Sequence, residues 1–156
     1  MDKARFKAKT RKFIEAHSDH IALQKIRRGE QLTASDLDEL ERMLIIEGVT
    51  DAETVEGLQS LGGLGVFLRS LTGLDRPAAK AVFGEFTSTH SLSASQTEFV
   101  DLIINSLCEN GVIDPRAFYE SPFTDLDDMG IMGVFDEVQT AEIISIVRNL
   151  NRTAAA

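Results

Sequence analysis

One glycine-rich stretch can be compared with a phosphate-binding loop. It reads Leu61-Gly62-Gly63-Leu64-Gly65-Val66. A P-loop needs Gly-x4-Gly-Lys-Ser/Thr, because its backbone amides and its lysine hold the phosphates together. This stretch has neither the lysine nor the hydroxyl. The N–H groups of the helix predicted after it could hold an anion, but a turn between two helices is the better interpretation.

The carboxylates would serve a nuclease or a calcium site only if they were clustered. Metal-dependent cleavage of DNA needs grouped carboxylates near a lysine, whereas those of this chain are spread along predicted solvent-facing surfaces, without a Pro-Asp…Asp/Glu-x-Lys pattern. Residues 125–136 match an EF-hand loop at positions one, three, six and, approximately, twelve. Position five is Met129, and the required glutamate falls one residue late, at Glu137. We therefore interpret the segment as an acidic loop before a helix cap.

The histidines and the cysteine lack the neighbours that a metal site or a nucleophile requires. His17 and His20 lie at a predicted helix junction, but zinc takes three or four ligands and His90 is distant in sequence. Polar surface or capping roles are therefore favoured for them. Cys108 lies within an apolar helical pattern, which indicates a buried reduced thiol. No Ser-His-Asp arrangement has a recognisable context, so the sequence assigns no catalytic, cofactor-binding or metal-binding residue.

The charge of the chain is divided unevenly between residues 1–28 and the remainder. The net charge is −9, and residues 1–28 hold nine Lys and Arg against three Asp and Glu, which is +6 and leaves −15 for residues 29–156. An acidic body repels nucleic acid, whereas a basic segment can contact its phosphates or an acidic partner. The alternative is an exposed amphipathic helix that continues from whatever precedes it in a larger protein. The cations that we assign to possible DNA contact are Lys3, Lys7, Arg11, Lys25, Arg27 and Arg28.

Length and composition predict one domain with an aliphatic core. A chain of 156 residues with 43% hydrophobic residues can bury a core without a metal or a disulfide. Aromatic residues make up only 6%, with no Trp, which argues against a platform for stacking bases. No apolar run approaches the roughly 20 residues that span a bilayer, and a single cysteine fits a reducing compartment. We therefore expect a cytoplasmic protein without membrane contact.

Helix signals recur along the chain, and no segment alternates with the period of a strand. The clearest start is Ser93 with Gln96, a capping box in which each side chain accepts an otherwise unpaired backbone N–H. Thr33 with Asp36, Thr50 with Glu53, and Asp136 with Gln139 mark three more starts. We predict an all-α fold, a single compact domain of eight or nine short helices in an irregular orthogonal bundle. We divide it into a basic arm (1–28), a helical domain (29–152) and a disordered tail (153–156).

Several predictions concern the ends and faces of individual helices. Apolar spacing places Ile21 and Val138 inward, and Gly111 is expected to end its helix in the left-handed conformation. The segments are predicted as a helix over 18–28 capped by Ser18 or Asp19, one helix from 75 to 86, a Ser/Thr-rich loop over 87–93, and an irregular stretch over 124–135.

Several ordered pieces of the sequence resemble one known domain. They are His20-Ile21-Ala22-Leu23-x-Lys25-Ile26-Arg27-Arg28-Gly29, Leu32-Thr33-x-x-Asp36-Leu37-x-Glu39-Leu40-Glu41, Leu92-x-x-x-Gln96-x-x-Phe99-x-x-x-Ile103, Glu109-Asn110-Gly111-Val112 and Tyr119-Glu120-Ser121-Pro122-Phe123-Thr124. They resemble the C-terminal helical domain of the restriction (motor, R) subunit of type I restriction-modification enzymes, of the EcoEI-like class. The resemblance covers nearly the whole chain and is least distinct over residues 47–90.

The resemblance implies a role in assembly without catalysis in this chain. In that family the motor and nuclease modules, with their ATP and Mg²⁺, precede this domain, so no cofactor is expected here. The domain is thought to tether them to the methyltransferase–specificity core, with the methyltransferase (M) subunit as partner, while a different subunit recognises the DNA target. We place the docking surface on the less regular segments and the basic arm, with Tyr119, Pro122, Phe123, Ile131, Met132 and Phe135 as apolar anchors if they are exposed; the alternative is that Pro122-Phe123 closes the core.

Overall fold

Helices follow one another with short connections in the computed structural model, which describes residues 3–59, 63–119 and 130–155. Within these ranges there are ten α-helices, one 3-10 helix and no strand, so the all-α prediction is confirmed. They are α1 (Lys3–Ala16), α2 (Ile21–Arg27), α3 (Ala34–Ile46), α4 (Ala52–Gln59), α5 (Leu64–Thr72), α6 (Arg76–Val82), α7 (Gly84–Thr89), α8 (Ala94–Glu109), the 3-10 helix (Pro115–Tyr119), α9 (Gly130–Val134) and α10 (Glu137–Ala155).

Side-chain caps determine where most of these helices begin. Ser93 and Gln96 form the predicted capping box of α8, and Thr33 and Asp36 form that of α3. Gln139 N–H donates to Asp136 Oδ1 at the start of α10, over 2.7 Å. Each cap satisfies a backbone N–H that has no partner within the helix and contributes about 1 kcal/mol.

Two helices begin at residues that differ from the predicted ones. α2 is capped by His20, whose Nδ1 accepts from Ala22 N–H, instead of by Ser18 or Asp19. α4 is capped by Asp51, whose Oδ1 accepts from Thr54 N–H over 2.7 Å, instead of by Thr50. In both cases several neighbouring polar residues can cap a helix, so the sequence locates the start only to within a few residues.

The additional helices lie where the sequence predicted longer or irregular segments. The predicted helix from 75 to 86 is divided at Phe83, and its second part, α7, continues through Thr89 into the predicted loop. Phe83 is completely buried, so the bend points its ring into the core. The predicted irregular stretch contains α9, a single turn, while its residues 124–129 lie outside the described ranges.

Two apolar residues face solvent, contrary to the predicted helix faces. α2 buries Ala22, Leu23 and Ile26, and leaves Ile21 61% exposed. Val138 of α10 is 66% exposed. Ala22 is fully buried, so the packed face of α2 is centred on Ala22, Leu23 and Ile26 and does not include Ile21. Hydropathy alone could not distinguish the buried face of each helix from its exposed face, because both faces contain apolar residues.

The buried residues form two clusters. The N-terminal cluster is drawn from α1 to α5 and includes Phe13, Leu23, Ile26, Leu40, Leu44 and Leu68. The C-terminal cluster is drawn mainly from α6 to α10 and includes Phe83, Phe99, Ile103, Phe118, Ile131 and Ile143. Each cluster has helices on several sides, which is the usual way that amphipathic helices remove their apolar faces from water.

The central helix α5 joins the two clusters. It contacts α1, α2, α3 and α4 on the N-terminal side and α8 and α10 on the C-terminal side. Leu64 and Leu68 of α5 belong to the N-terminal cluster. The chain after α5 is tied to both sides as well, because Leu74 N–H donates to Leu107 O and Asp75 N–H donates to Arg27 O. The two clusters are therefore parts of one compact domain.

Arg69 of α5 is buried at this junction, with only 1% of its surface exposed. Its Nη1 donates to Leu150 O (2.9 Å) and to Thr153 Oγ1 (2.8 Å), and its Nη2 donates to Glu30 O (3.2 Å). Burial lowers the pKa of this guanidinium below its usual value. The side chain thus links α5, the C-terminal end of α10 and the connection after α2.

Gly111 permits the close approach of this arginine. It is not among the glycines with positive φ, so the predicted left-handed helix end is not what it provides. A Cβ on Gly111 would instead overlap Cγ of Arg69, and Gly111 N–H donates to Arg69 O over 3.1 Å. The absence of a side chain, rather than the backbone conformation, is what this position requires.

The first and last helices are both packed against the body. Phe6 of α1 stacks on Phe67 of α5 with ring centroids 5.2 Å apart. α10 runs to Ala155, three residues into the tail predicted to be disordered, and Ala154 is buried beside Gly65 of α5. Packing against α5 gives these terminal residues contacts that sequence pattern cannot reveal. The division of the chain at residue 28 stays a prediction.

Candidate interaction surface

α1 presents its cations on one side and its packing residues on the other. Phe13 and Thr10 are buried, and Phe6 and Ile14 are half-buried, which is the three- and four-residue spacing of one helix face. Arg5, Lys7, Lys9, Arg11 and Lys12 are exposed on the remaining surface. The helix is held by its apolar face, so the positive charges are fixed in position relative to the core.

Most of these cations have no partner within the described ranges. Lys7, Lys9, Arg11 and Lys12 make no ion pair or hydrogen bond through their side chains there. Nothing is described for the side chain of Lys3. α1 contains six Lys and Arg against one carboxylate, Glu15, and such an excess of cations produces a local positive potential, which attracts anionic partners.

Arg27 of α2 extends this basic surface beyond α1. Arg11 and Arg27 line the same cleft, of about 250 Å³, between α1, α2 and the end of α5. The apolar part of its lining is Ile14, Leu23 and Leu71. Lys7 lies one helical turn before Arg11 on the same side of α1. We call the set Lys7, Arg11 and Arg27 the basic surface.

Two other cations predicted to contact DNA, Lys25 and Arg28, have intramolecular partners. Lys25 Nζ donates to Asp36 Oδ2 over 2.8 Å, and this bond holds the pKa of Asp36 below its usual range. Arg28 lies 3.3 Å from Gln24 Oε1 and 3.5 Å from Glu30 Oε2. Lys25 therefore connects α2 to α3, and a phosphate contact would have to compete with Asp36.

Two of the six predicted apolar docking anchors are buried. Ile131 and Phe135 are 0% and 3% exposed, and Phe135 contacts the rings of Phe86 and Phe99. They were expected to be anchors only if exposed, and that condition is not met, because α9 and the residue after it pack into the C-terminal cluster. Tyr119 ends the 3-10 helix; its side chain and that of Met132 are not described, and Pro122 and Phe123 lie outside the described ranges.

A groove between α7 and α10 was missed by sequence reasoning. It consists of two adjoining hollows that share Glu142 and Ser145: the first, of about 530 Å³, is an open face lined by α10 alone, and the second, of about 360 Å³, lies between α7 and α10. The exposed Val138 lies in the first hollow. The sequence signal for this groove was Val138, an apolar residue in the first turn of α10, which apolar spacing had placed in the core. We call these two hollows the acidic groove, since Glu85, Glu137 and Glu142 all line it.

Among the residues with described positions, the side chains are not grouped as a metal site or a catalytic nucleophile would require. No group of three or more His, Cys, Asp or Glu there could hold a metal ion. Each histidine contacts a glutamate: His17 with Glu47, His20 with Glu39, and His90 with Glu142, at 2.8, 3.3 and 3.0 Å. Cys108 is a half-buried free thiol. Gly63 precedes α5 with a φ of 98°, as a turn would, and the part of the calcium-like loop over 125–129 lies outside the described ranges.

Comparison with known proteins identifies the family. Within the part of the chain that is described, no helix is long and apolar enough to cross a membrane. No curated protein and no solved structure matches this chain. The family model described as EcoEI R protein C-terminal matches residues 4–152, from the first turn of α1 to the last turn of α10. The chain therefore belongs to the family of C-terminal domains of type I restriction enzyme R subunits, which confirms the resemblance drawn from its sequence.

Proposed function

We propose that this domain docks the ATP-dependent translocase and endonuclease modules of an R subunit onto the methyltransferase–specificity core. The observation that carries the proposal is the family match over residues 4–152. An R subunit works in a complex with other subunits, and a non-catalytic domain at its C-terminal end is suited to make that connection. The ATP-dependent hydrolysis and DNA cleavage belong to the preceding modules in this proposal.

The packing of the domain suits a docking role mechanically. A docking element must transmit position, so its attachment points should not move independently. Here α1 is stacked on α5 through Phe6 and Phe67, and α10 is bonded to α5 through Arg69. The first and last helices therefore share one rigid support, and a partner bound to either of them is held in a defined orientation.

A direct binding measurement tests this proposal. The purified chain, titrated into the methyltransferase subunit of its own restriction system by calorimetry, should bind with a Kd of about 1 μM or tighter, which corresponds to about −8 kcal/mol. A methyltransferase subunit from an unrelated type I system serves as the control and should bind at least about tenfold more weakly. No heat of binding to the cognate subunit, and no co-elution in gel filtration, would contradict the docking role.

The second candidate function is contact with the DNA backbone through the basic surface. It is favoured by a specific observation: Arg11 and Arg27 line one cleft, where they outnumber its one carboxylate, Glu15, and Arg11 and Lys7 have no partner in the described ranges. Binding through such charges is weak, independent of sequence and strongly reduced by salt, because each phosphate contact releases counterions. The acidic body, at −15 over residues 29–156, opposes it.

Neutralising the basic surface should abolish this binding. The triple variant Lys7→Gln, Arg11→Gln, Arg27→Gln should bind duplex DNA at least about tenfold more weakly at low salt, and the slope of log K against log salt should fall by about 0.9 for each phosphate that is no longer neutralised. Fluorescence anisotropy with labelled duplex DNA measures both quantities. The triple variant Lys80→Gln, Arg148→Gln, Arg152→Gln removes three exposed cations elsewhere and is the matched control. Equal weakening in the two variants would refute a DNA site at the basic surface.

A further inference from the structure

The acidic groove combines a hollow between two helices with an adjoining open helix face. In the smaller hollow α7 supplies one wall through Glu85, Phe86 and Thr89 and α10 supplies the other. The larger one is an open face of α10 on which Val138 and Ala141 lie. Ala141 and Ser145 are exposed and one turn apart on α10, so their small side chains leave the surface of that helix low. An incoming helix can approach closely where side chains are small, and its apolar residues can pack on Val138.

The charge of the groove specifies the sign of the partner. Its three carboxylates are those of Glu85, Glu137 and Glu142, and no Lys or Arg of the described ranges lines either hollow. A neighbouring group that can be positive is His90, which contacts Glu142 over 3.0 Å. An exposed apolar surface bordered by carboxylates is complementary to a helix that has apolar residues on one face and Lys or Arg beside them.

Segments of this chain do not have that chemistry. Residues 120–129 contain four carboxylates (Glu120, Asp125, Asp127 and Asp128) and no cation, so their charge is of the same sign as that of the groove. α1 is basic and amphipathic, but Phe6 and Phe13 of its apolar face are already packed in this molecule. A second copy could therefore offer charge through α1 without the apolar residues that Val138 needs.

We infer that the acidic groove binds a basic amphipathic helix of the methyltransferase subunit. The inference rests on the proposed docking function and names the surface and the partner chemistry for it. Val138 contacts the apolar face of the bound helix, Ala141 and Ser145 allow its backbone to approach, and Glu85 and Glu137 pair with its cations, since Glu142 is bonded to His90. The basic surface on α1 then stays available for a different, anionic partner.

A designed peptide tests the groove separately from the methyltransferase subunit. The probe is a labelled helix of about 18 residues, or five turns, with Leu and Ala on one face and Lys on the other. It should bind the intact chain in anisotropy titrations. Ala141→Arg places a bulky cation in the groove and should weaken peptide binding about tenfold or more. Arginine is a good helix former, so α10 should stay intact in this variant. Val138→Asp should weaken it by a similar factor, since it removes the apolar contact.

Charge-matched variants separate the groove from the general acidity of the domain. Glu85→Gln with Glu137→Gln removes two carboxylates in the groove, whereas Glu98→Gln with Asp101→Asn removes two exposed carboxylates of α8. The first pair should weaken peptide binding several-fold more than the second. Circular dichroism should show the same helix content in all variants. No binding by the wild-type chain, or equal effects of the two pairs, overturns the inference.

The same variants titrated into the methyltransferase subunit distinguish this inference from the docking function. Loss of subunit binding in Ala141→Arg, with retention in the α8 pair, supports both. Unchanged subunit binding in Ala141→Arg overturns the inference and leaves docking in place through another surface. If the wild-type chain binds the peptide at the groove but does not bind the subunit, the docking function fails and the assignment of the subunit as the source of the helix fails with it.

Discussion

Replacing Arg69 with alanine should lower the free energy of unfolding by about 3–5 kcal/mol, a large fraction of the stability of a domain of this size. The reason is that three acceptors, two on α10 and one in the connection after α2, lose their donor at once. Leu150 O, Thr153 Oγ1 and Glu30 O are all bonded by this guanidinium. Hydrogen bonds to a charged donor contribute more than neutral ones, and a cavity at the centre of the fold adds to the destabilisation.

Chemical denaturation followed by circular dichroism measures this change. Arg76→Ala is the matched control, because Arg76 is exposed and donates to Asn105 Oδ1 at the surface; its cost should be within about 0.5 kcal/mol. Arg69→Lys keeps the charge with fewer donors on a shorter chain and should cost about 2–3 kcal/mol, so it remains measurable if the alanine variant does not fold. A cost for Arg69→Ala no larger than that for Arg76→Ala would show that the junction is held by apolar packing alone.

The variant Gly73→Ala should cost about 3 kcal/mol or more, although it adds a single methyl group. Gly73 has a φ of 66° and a ψ of −176°, a region that residues with a side chain rarely adopt. A Cβ there would also overlap the carbonyl oxygen of Cys108 and lie 3.0 Å from Glu109 N. These are backbone atoms of α8, which cannot rotate away as the end of a side chain can. Strain and overpacking therefore act together.

Gly57→Ala should have the opposite effect on the stability of the same protein. Gly57 lies inside α4, its φ is not positive, and no described atom is within 4 Å of a Cβ at that position. Alanine there should stabilise the domain by about 0.5–1 kcal/mol, because glycine loses more conformational freedom in a helix. Thermal unfolding of the two variants should thus shift in opposite directions. If Gly73→Ala melts at the wild-type temperature, the end of α5 is not constrained against α8.

The variants at Arg69 and Gly73 concern the junction that the sequence did not reveal. Arg69 stands in an apolar helical segment as one ordinary cation, and nothing in its neighbours indicates that it is buried. Its acceptors are 39 and more positions away along the chain. Gly111 was expected to end a helix, because a glycine after a helical stripe usually does, whereas its actual requirement is a contact with Arg69. Contacts over such separations depend on how helices are arranged in space.

The interaction surfaces also have some features that the sequence reveals and others that depend on the arrangement of the helices. The basic charge of α1 could be read from the sequence, and Lys7 and Arg11 lie on the outside of that helix as predicted. The pairing of Lys25 with Asp36 and the burial of Ile131 and Phe135 could not be read, because each depends on a neighbouring helix. The acidic groove needs α7 beside α10, two helices about 50 positions apart in the chain, as the His90 to Glu142 contact also shows.

The sequence by itself determined the all-helical class, the family and the principal helix starts, since caps and apolar periodicity act over three to seven neighbouring residues. Only the tertiary structure decided which cations remain unpaired, which apolar residues reach solvent and where a charge is buried. Those properties arise from helix rotation and from close approaches such as that of Gly73 to Cys108. Hydropathy indicates which side chains prefer to be buried, but the packing of neighbouring helices determines which residue in a helix turn is actually buried.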